Sequence, residues 1–431
     1  MTIDSTWLCA FKEELPHAFT PRNPIRARAV FVDGQIKLMQ APPAEPQTWD
    51  DFIHRQFARH LAKFYEACEV VILAFDNYSH VPRAKCMTQA KRRRHIPALP
   101  FSESSELPCM VPDGERWAQC IANRTFKTRV IDLVLLRLPR ILLEGRGNRR
   151  LIVDYQEPVE YRFVDGRVQA SPLADLPAMG EADVKFTRFA DRFESLTVDS
   201  IDGDSIPIAL MHHERCLRQA QPPPMMSIYR MELGGGSREK RAVDGSAGKA
   251  SRRAYEYVNV HALYEGLMQA IAQSTGRIRM PTHAGHEMAM LVALIALTGT
   301  DFSRNLPQMS GRSVYGWLPD VWPALVSAYH PPTSRLLPDQ ADMLVACLYK
   351  LKFPRQVSAG SAHLPSVLAD LTGSSMAQRT KDSLPSRERV ACTVRNANWV
   401  LLYWTCQPAP DPVDPLYGFR AAAGGATEYD D

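Results

Sequence analysis

Apolar positions along the 431 residues recur with two periods. Short runs of consecutive or alternating apolar residues read as strands, and spacings of three and four read as helices. Strand-type runs fall at 29–32 (AVFV), 69–75 (EVVILAF), 149–154 and 161–168, the last turning at Asp165-Gly166. Further runs are LTV at 196–198, the alternating MSIYRMEL at 226–233, and 255–260. EVVILAF is almost continuously apolar, as expected of a central strand buried on both faces. Helical spacing marks 49–67 through Phe52, Phe57, Leu61 and Phe64, and also 115–138, where Pro139 is expected to end or kink the helix. It returns at 263–271, 288–297, 313–329 and 339–351. Residues 180–206, GEADVKFTRFADRFESLTVDSIDGDSI, predict a helix from near Gly180 and then a strand ending near Asp202. This succession predicts an α/β fold, with a mainly parallel central sheet flanked by helices and a largely helical C-terminal part.

Acids stand where these elements end. Asp76 follows EVVILAF directly. Asp33 follows AVFV, but Asp33-Gly34 is also a hairpin signal, and the local pattern favours the turn. Glu181 and Asp183 open the helix near Gly180, Asp202 and Asp204 close the following strand, and Asp301 follows the apolar helix at 288–297. Two acidic pairs are thereby placed at the carboxyl edge of the sheet, where open α/β folds put their chemistry. Carboxylates facing one another cannot all stay ionised without a cation. An oxygen-only ligand set suits Mg²⁺ or Mn²⁺. Two unrelated acidic loops on a solvated surface would explain residues 180–206 equally well. Just after Asp76 comes VPRAKCMTQAKRRR, residues 81–94. If helical, it lines up Lys85, Gln89, Arg92 and Arg93 along one side. That suits a phosphate clamp, a solvated basic face or a localisation signal.

Composition narrows this only a little. An apolar fraction of 45% is enough for a sizeable core, and a formal net charge of +4 does not by itself announce a polyanionic partner. Nine cysteines form no CxxC pair and no Cys/His cluster at zinc spacing, which points to a reduced, intracellular protein, cytoplasmic or nuclear. The first residues lack the pattern of a signal peptide. The longest apolar run, 288–297, is too short to span a bilayer, so no membrane partner is expected. Residues 234–253, GGGSREKRAVDGSAGKASRR, read as a flexible basic loop, and 407–431 as a disordered tail.

In order and surroundings, the acids and the basic segment resemble the flap endonuclease and Xrn-type 5′→3′ exoribonuclease superfamily, whose core is PIN-like. Phe75-Asp76-Asn77 resembles its FDG-like strand end, and VPRAKCMTQAKRRR looks most like the exoribonuclease form of the basic helix. GEADVK resembles its GEGE or SEAE segment, SIDGDSI its paired-aspartate strand, and TGTDF its G-x-D-[FY] segment. The similarity covers roughly 26–304, with long unmatched insertions. It implies a Mg²⁺- or Mn²⁺-dependent 5′→3′ nuclease acting on single-stranded nucleic acid, RNA ahead of DNA. Asp33, Asp76, Glu181, Asp183, Asp202, Asp204 and Asp301 would hold two ions. Lys85, Gln89, Arg92 and Arg93 would grip a 5′-terminal phosphate. On this resemblance 1–233 is the N-terminal part of the nuclease core, with the basic helix and a helical insertion. Residues 254–406 are its C-terminal part and helical region. A flap-type DNA endonuclease and a nuclease-derived binding or structural protein without turnover are the alternatives.

Overall fold

The computed structural model describes residues 5–40, 47–77, 99–176, 179–200, 202–231, 255–276, 285–298, 306–405, 419–421 and 427–429. Nine strands form one sheet: β1 (Phe19–Thr20), β2 (Ala29–Asp33), β3 (Val70–Ala74), β4 (Arg150–Asp154), β5 (Pro158–Val164), β6 (Arg167–Pro172), β7 (Ser195–Asp199), β8 (Met225–Met231) and β9 (Tyr255–Asn259). Their order across the sheet is β1-β9-β8-β7-β2-β3-β4-β5-β6. The five inner strands β8, β7, β2, β3 and β4 are parallel to one another, and antiparallel strands finish each side. In β2, β3 and β7 every residue is buried, as strands covered on both faces require. The expected α/β architecture with a mainly parallel centre is therefore what forms.

Each face of the sheet carries its own core. On one side Val30, Val32, Val71, Leu73, Leu151 and Val153 meet the helices of residues 49–64, Gly114–Ala122 and Arg124–Leu143. On the other, Phe31, Ile72, Leu196, Val198 and Ile228 meet the helices Ala182–Ala190, Ser205–Arg218, Val260–Gly276 and Glu287–Thr298. All twelve residues of Glu287–Thr298 are buried. Its first turn is held by Glu214, whose carboxylate accepts from the N–H groups of Met288 (2.7 Å) and Ala289 (3.1 Å). Its last residue, Thr298, accepts a hydrogen bond from the Trp7 indole at 2.9 Å, tying the helix Ser5–Glu14 to the core. Trp7 also explains Gly311: a Cβ there would sit 2.0 Å from the indole Cδ1.

Two local expectations are corrected. Pro139 does not end its helix but lies inside Arg124–Leu143. An interior proline costs about 3 kcal/mol. Nine buried residues on that helix, Pro139 among them, contribute roughly 1.5–3 kcal/mol per fully buried large apolar side chain and outweigh it. The break comes instead at Asn123, which ends Gly114–Ala122 and caps the next helix by accepting from Phe126 N–H at 3.0 Å. Asp33-Gly34 is likewise not a hairpin turn: Asp33 ends β2 and caps the helix Gly34–Met39. The hairpin expected at Asp165-Gly166 does form, with φ of 52° and 76° there. In the tail, Phe419–Ala421 pairs antiparallel with Thr427–Tyr429. The basic segment 81–94 and the loop 234–253, together with Asp301, lie outside the described residues.

Candidate active site at the carboxyl edge

Each of the four adjacent parallel strands β7, β2, β3 and β4 delivers an aspartate at or just beyond its carboxyl end. Asp199 ends β7, opposite Val32; Asp33 ends β2, opposite Ala74; Asp154 ends β4, also opposite Ala74. Asp76 lies two residues past β3. The chain builds β2, β3 and β4 outward in one direction, then places β7 and β8 on the other side of β2. The switch in direction falls between β2 and β7, the position where open parallel sheets form a binding crevice.

The local sequence fixes the two central acids. Asp33 Oδ1 accepts from Gln35 N–H at 2.8 Å and Ile36 N–H at 3.2 Å. Gly34 lets that helix start against β3, because a Cβ there would lie 2.9 Å from the Ala74 carbonyl and 2.8 Å from the Phe75 ring. Close approach, rather than a turn, is what this glycine serves. Asp76 Oδ1 accepts from Ala182 N–H at 3.1 Å, and Asn77 N–H donates to Gly180 O at 2.5 Å. The GEAD segment is thereby fastened onto the end of β3. Glu181, fully buried, stands at the residue before the helix Ala182–Ala190, and Asp183 sits half-buried in its first turn. Beyond β7, Asp202 Oδ1 accepts from Asp204 N–H at 3.1 Å, and Asp204 immediately precedes the helix Ser205–Arg218. Burial lowers the pKa of Arg230, opposed mainly by Glu256 and to a smaller extent by Asp202.

The two flanking acids are neutralised by side chains. Asp154 pairs with Arg188 and, at 3.0 Å, with the buried ammonium of Lys185. Lys185 also donates to the carbonyls of Phe75 (2.7 Å), Asp154 (3.2 Å) and Tyr155 (3.1 Å). Burial lowers its pKa, and Asp154 opposes that shift. One lysine thus ties the ends of β3 and β4 to the helix that carries Glu181 and Asp183. Asp199 accepts from His60 Nε2 at 2.8 Å, with Lys37 Nζ 3.7 Å away.

Of the seven acids expected to act together, Asp33, Asp76, Glu181, Asp183, Asp202 and Asp204 sit on strand ends and helix starts along this edge; Asp301 is outside the described residues. So are Lys85, Gln89, Arg92 and Arg93. Asp154, Asp199, Lys185 and Lys37 were missed. Asp154 and Asp199 end runs of the same form as Asp33 does, LIVD and LTVD against VFVD, so the signal for both was present.

Among the described residues, one group of possible ligands has all its donor atoms within 4.8 Å: Asp191, His212 and Cys216. None of the predicted acids belongs to it. Its geometry is that of a structural link. Arg215 donates to His212 Nδ1 at 2.9 Å, which leaves the ring proton on Nε2, facing Asp191 at 3.3 Å. Burial pushes His212 down to about 3, with Arg215 adding to the effect, so the ring is neutral. A cation here would compete with a guanidinium and a proton. No three acids of the carboxyl edge bring their oxygens that close together among the described residues; an ion there would be held by one or two carboxylates and keep several waters, as Mg²⁺ commonly does.

No helix of the described residues is long and apolar enough to cross a membrane. No family model matches the sequence, and no curated protein does. Among solved structures the chain is similar to the catalytic core of Rad2 in complex with DNA substrate, at 12% identity and a TM-score of 0.35, covering 98% of this chain and 88% of that one. A TM-score that low carries no argument about this chain, so the functional reading rests on the carboxyl edge itself.

Proposed function

We propose that this chain is a Mg²⁺- or Mn²⁺-dependent nuclease that hydrolyses phosphodiester bonds in nucleic acid. The carrying observation is the placement of acids on the ends of adjacent parallel strands at the direction switch of the sheet, with Glu181, Asp183, Asp202 and Asp204 on the helix starts beside them. The donor set is all oxygen, which fits these ions and not zinc. Asp33, Asp76, Glu181, Asp183, Asp202, Asp204 and Asp301 would hold two of them. Bound there, the ions would supply an activated water and stabilise the leaving oxygen. The chain's own residues do the positioning. Lys185 fixes the carbonyl of Phe75, next to Asp76, and Ala182 N–H fixes the Asp76 carboxylate. Lys85, Gln89, Arg92 and Arg93 would hold a 5′-terminal phosphate, which carries more charge than an internal one. We further propose a 5′→3′ direction and a preference for single strands, RNA ahead of DNA, on the resemblance of VPRAK to the exoribonuclease form. The deciding assay compares 5′-phosphorylated single-stranded RNA, single-stranded DNA and a DNA flap, each with Mg²⁺ and with EDTA. Metal-dependent cleavage of the single strands supports the reading in full. Cleavage of the flap alone moves it to a structure-specific DNA endonuclease, and no cleavage of any substrate overturns it.

A further inference from the structure

A cleft of about 430 Å³ opens on the side of the sheet away from the buried helix Glu287–Thr298, beside Asp33. Its volume lies in the range of small-ligand sites. Its floor is built by β8 and β9, where three tyrosines share one face. Tyr229 stacks on Tyr255 with centroids 5.2 Å apart and planes at 19°, and meets Tyr257 at 4.8 Å and 37°. Tyr255 is 46% exposed. No apolar helix is expected above this floor, because the neighbouring positions on the same face are polar. Asn23, Thr197 and Ser227 are linked there by hydrogen bonds of 2.9–3.0 Å. The tyrosines therefore line the cleft instead of filling a core.

The opposite wall mixes charges, with Asp33 and Asp199 beside Lys37, His60 and Lys63. Lys37 and His60 reach in from the helices Gly34–Met39 and Arg59–Phe64 and neutralise Asp199, and the exposed Lys63 stands at the rim. Stacked aromatics beside Lys and His suit one kind of occupant: a flat, electron-rich ring system attached to a phosphate. We propose that this cleft holds one unpaired nucleobase of a single-stranded nucleic acid, stacked on Tyr255 and Tyr257, with its phosphate toward Lys63. Base stacking on aromatic side chains tolerates any sequence, since every base has a π face. The assignment rests on the nuclease reading and deepens it. Asp33 belongs both to the acid row and to the cleft wall, so the stacked nucleotide would be a close neighbour of the phosphate being cleaved. The phenol of Tyr229 stays protonated at neutral pH, pushed up to about 12 by burial first and then by Tyr257 and Asp199, so no anion on that ring opposes a phosphate.

The test is a double-mutant cycle on the full-length protein. A 12-nucleotide single strand, as RNA and as DNA, is titrated in EDTA, where it binds without being cut. A set of the same strand, each with one abasic position, is titrated alongside. Tyr255→Ala is expected to weaken binding of the intact strand about 5- to 100-fold, the range of one lost base stack, and Tyr255→Phe to restore it. One abasic position should weaken wild-type binding by a similar factor but leave Tyr255→Ala binding unchanged. Tyr255 is exposed, so the alanine variant should melt like the wild type. Equal binding by wild type and Tyr255→Ala, or losses that multiply at every abasic position, overturns the base site while the nuclease reading stands. A wild type that binds none of the strands overturns both.

Discussion

The centre and the flanks of the carboxyl edge are built from the same sequence device, an apolar strand run closed by aspartate, yet their surroundings differ. At the flanks, Asp154 and Asp199 face ammonium, guanidinium or imidazole groups, and a buried carboxylate opposite such partners is spoken for. At the centre, Asp33 and Asp76 are oriented by backbone N–H groups of Gln35, Ile36 and Ala182. Amides steer these carboxylates, and Lys185 acts on Asp76 less strongly than on Asp154. What sets a strand-end acid's role is therefore what the neighbouring helix brings to it. Lys185, four residues after Glu181 on the same helix, serves Asp154, whereas the start of that helix serves Asp76.

If this contrast is functional, central substitutions should remove activity and flanking ones stability. The largest effect is expected for Asp33→Asn and Asp204→Ala. Each should lower metal-dependent cleavage at least about 100-fold, in line with the several kcal/mol a catalytic ion contributes, while the urea midpoint stays level or rises as repulsion is relieved. Full cleavage by either variant breaks the comparison at its centre. Next in size is Lys185→Met. It removes one of the two cationic partners of Asp154, leaving Arg188, and with it the donor to three buried carbonyls, so it should cost about 3–5 kcal/mol, and adding Asp154→Asn should recover part of the loss. Urea denaturation of the single and double variants reads both. A Lys185→Met variant of native stability would make that pair dispensable.

Glu214 sharpens the same point with a buried acid held by the amides of Met288 and Ala289. Burial raises its pKa from 4.5 to about 7, against which those amides and Arg218 pull down. A raised folded pKa means the folded chain binds the proton more tightly than the unfolded one. Its contribution to stability is complete below about pH 4.5 and is lost as pH rises through about 7. Glu214→Gln should flatten that part of the stability–pH profile, followed by thermal melts from pH 4 to 8. An unchanged profile would mean that the titrating group lies elsewhere. The smallest effect is expected for Asp199→Asn, which keeps an acceptor for His60 but frees Lys37. It should cost about 1–2 kcal/mol and leave the metal requirement of cleavage intact. Loss of that requirement would move Asp199 from the flank to the centre.

The parallel strands were legible because they are short apolar runs, and so was Asp76 just past one of them, whereas the local pattern at Asp33-Gly34 pointed to a turn. What the sequence hid was charge pairing across long separations. Asp154 and Lys185 are far apart in the chain, and only the packing of the helix Ala182–Ala190 against β3 and β4 brings them together. The tyrosine floor was hidden for a related reason. MSIYRMEL read simply as a strand, and nothing in it shows that Tyr229 would meet Tyr255 and Tyr257 across an antiparallel pair. Pro139 misled because the local cost of proline is visible in sequence, whereas the burial that outweighs it is not.

The hydrogen bond between Trp7 and Thr298 also sets a schedule for synthesis. Its partners are 291 residues apart, so at about 5–20 residues per second the ribosome releases Thr298 some 15–60 s after Trp7. Through that interval the face of Trp7 that finally packs on Gly311 has no native neighbour, while β2, β3 and β4 are already available to pair. The helix Ser5–Glu14 is thus made long before its docking site, and a nascent chain stalled before residue 298 would display the Trp7 indole for chaperones to hold.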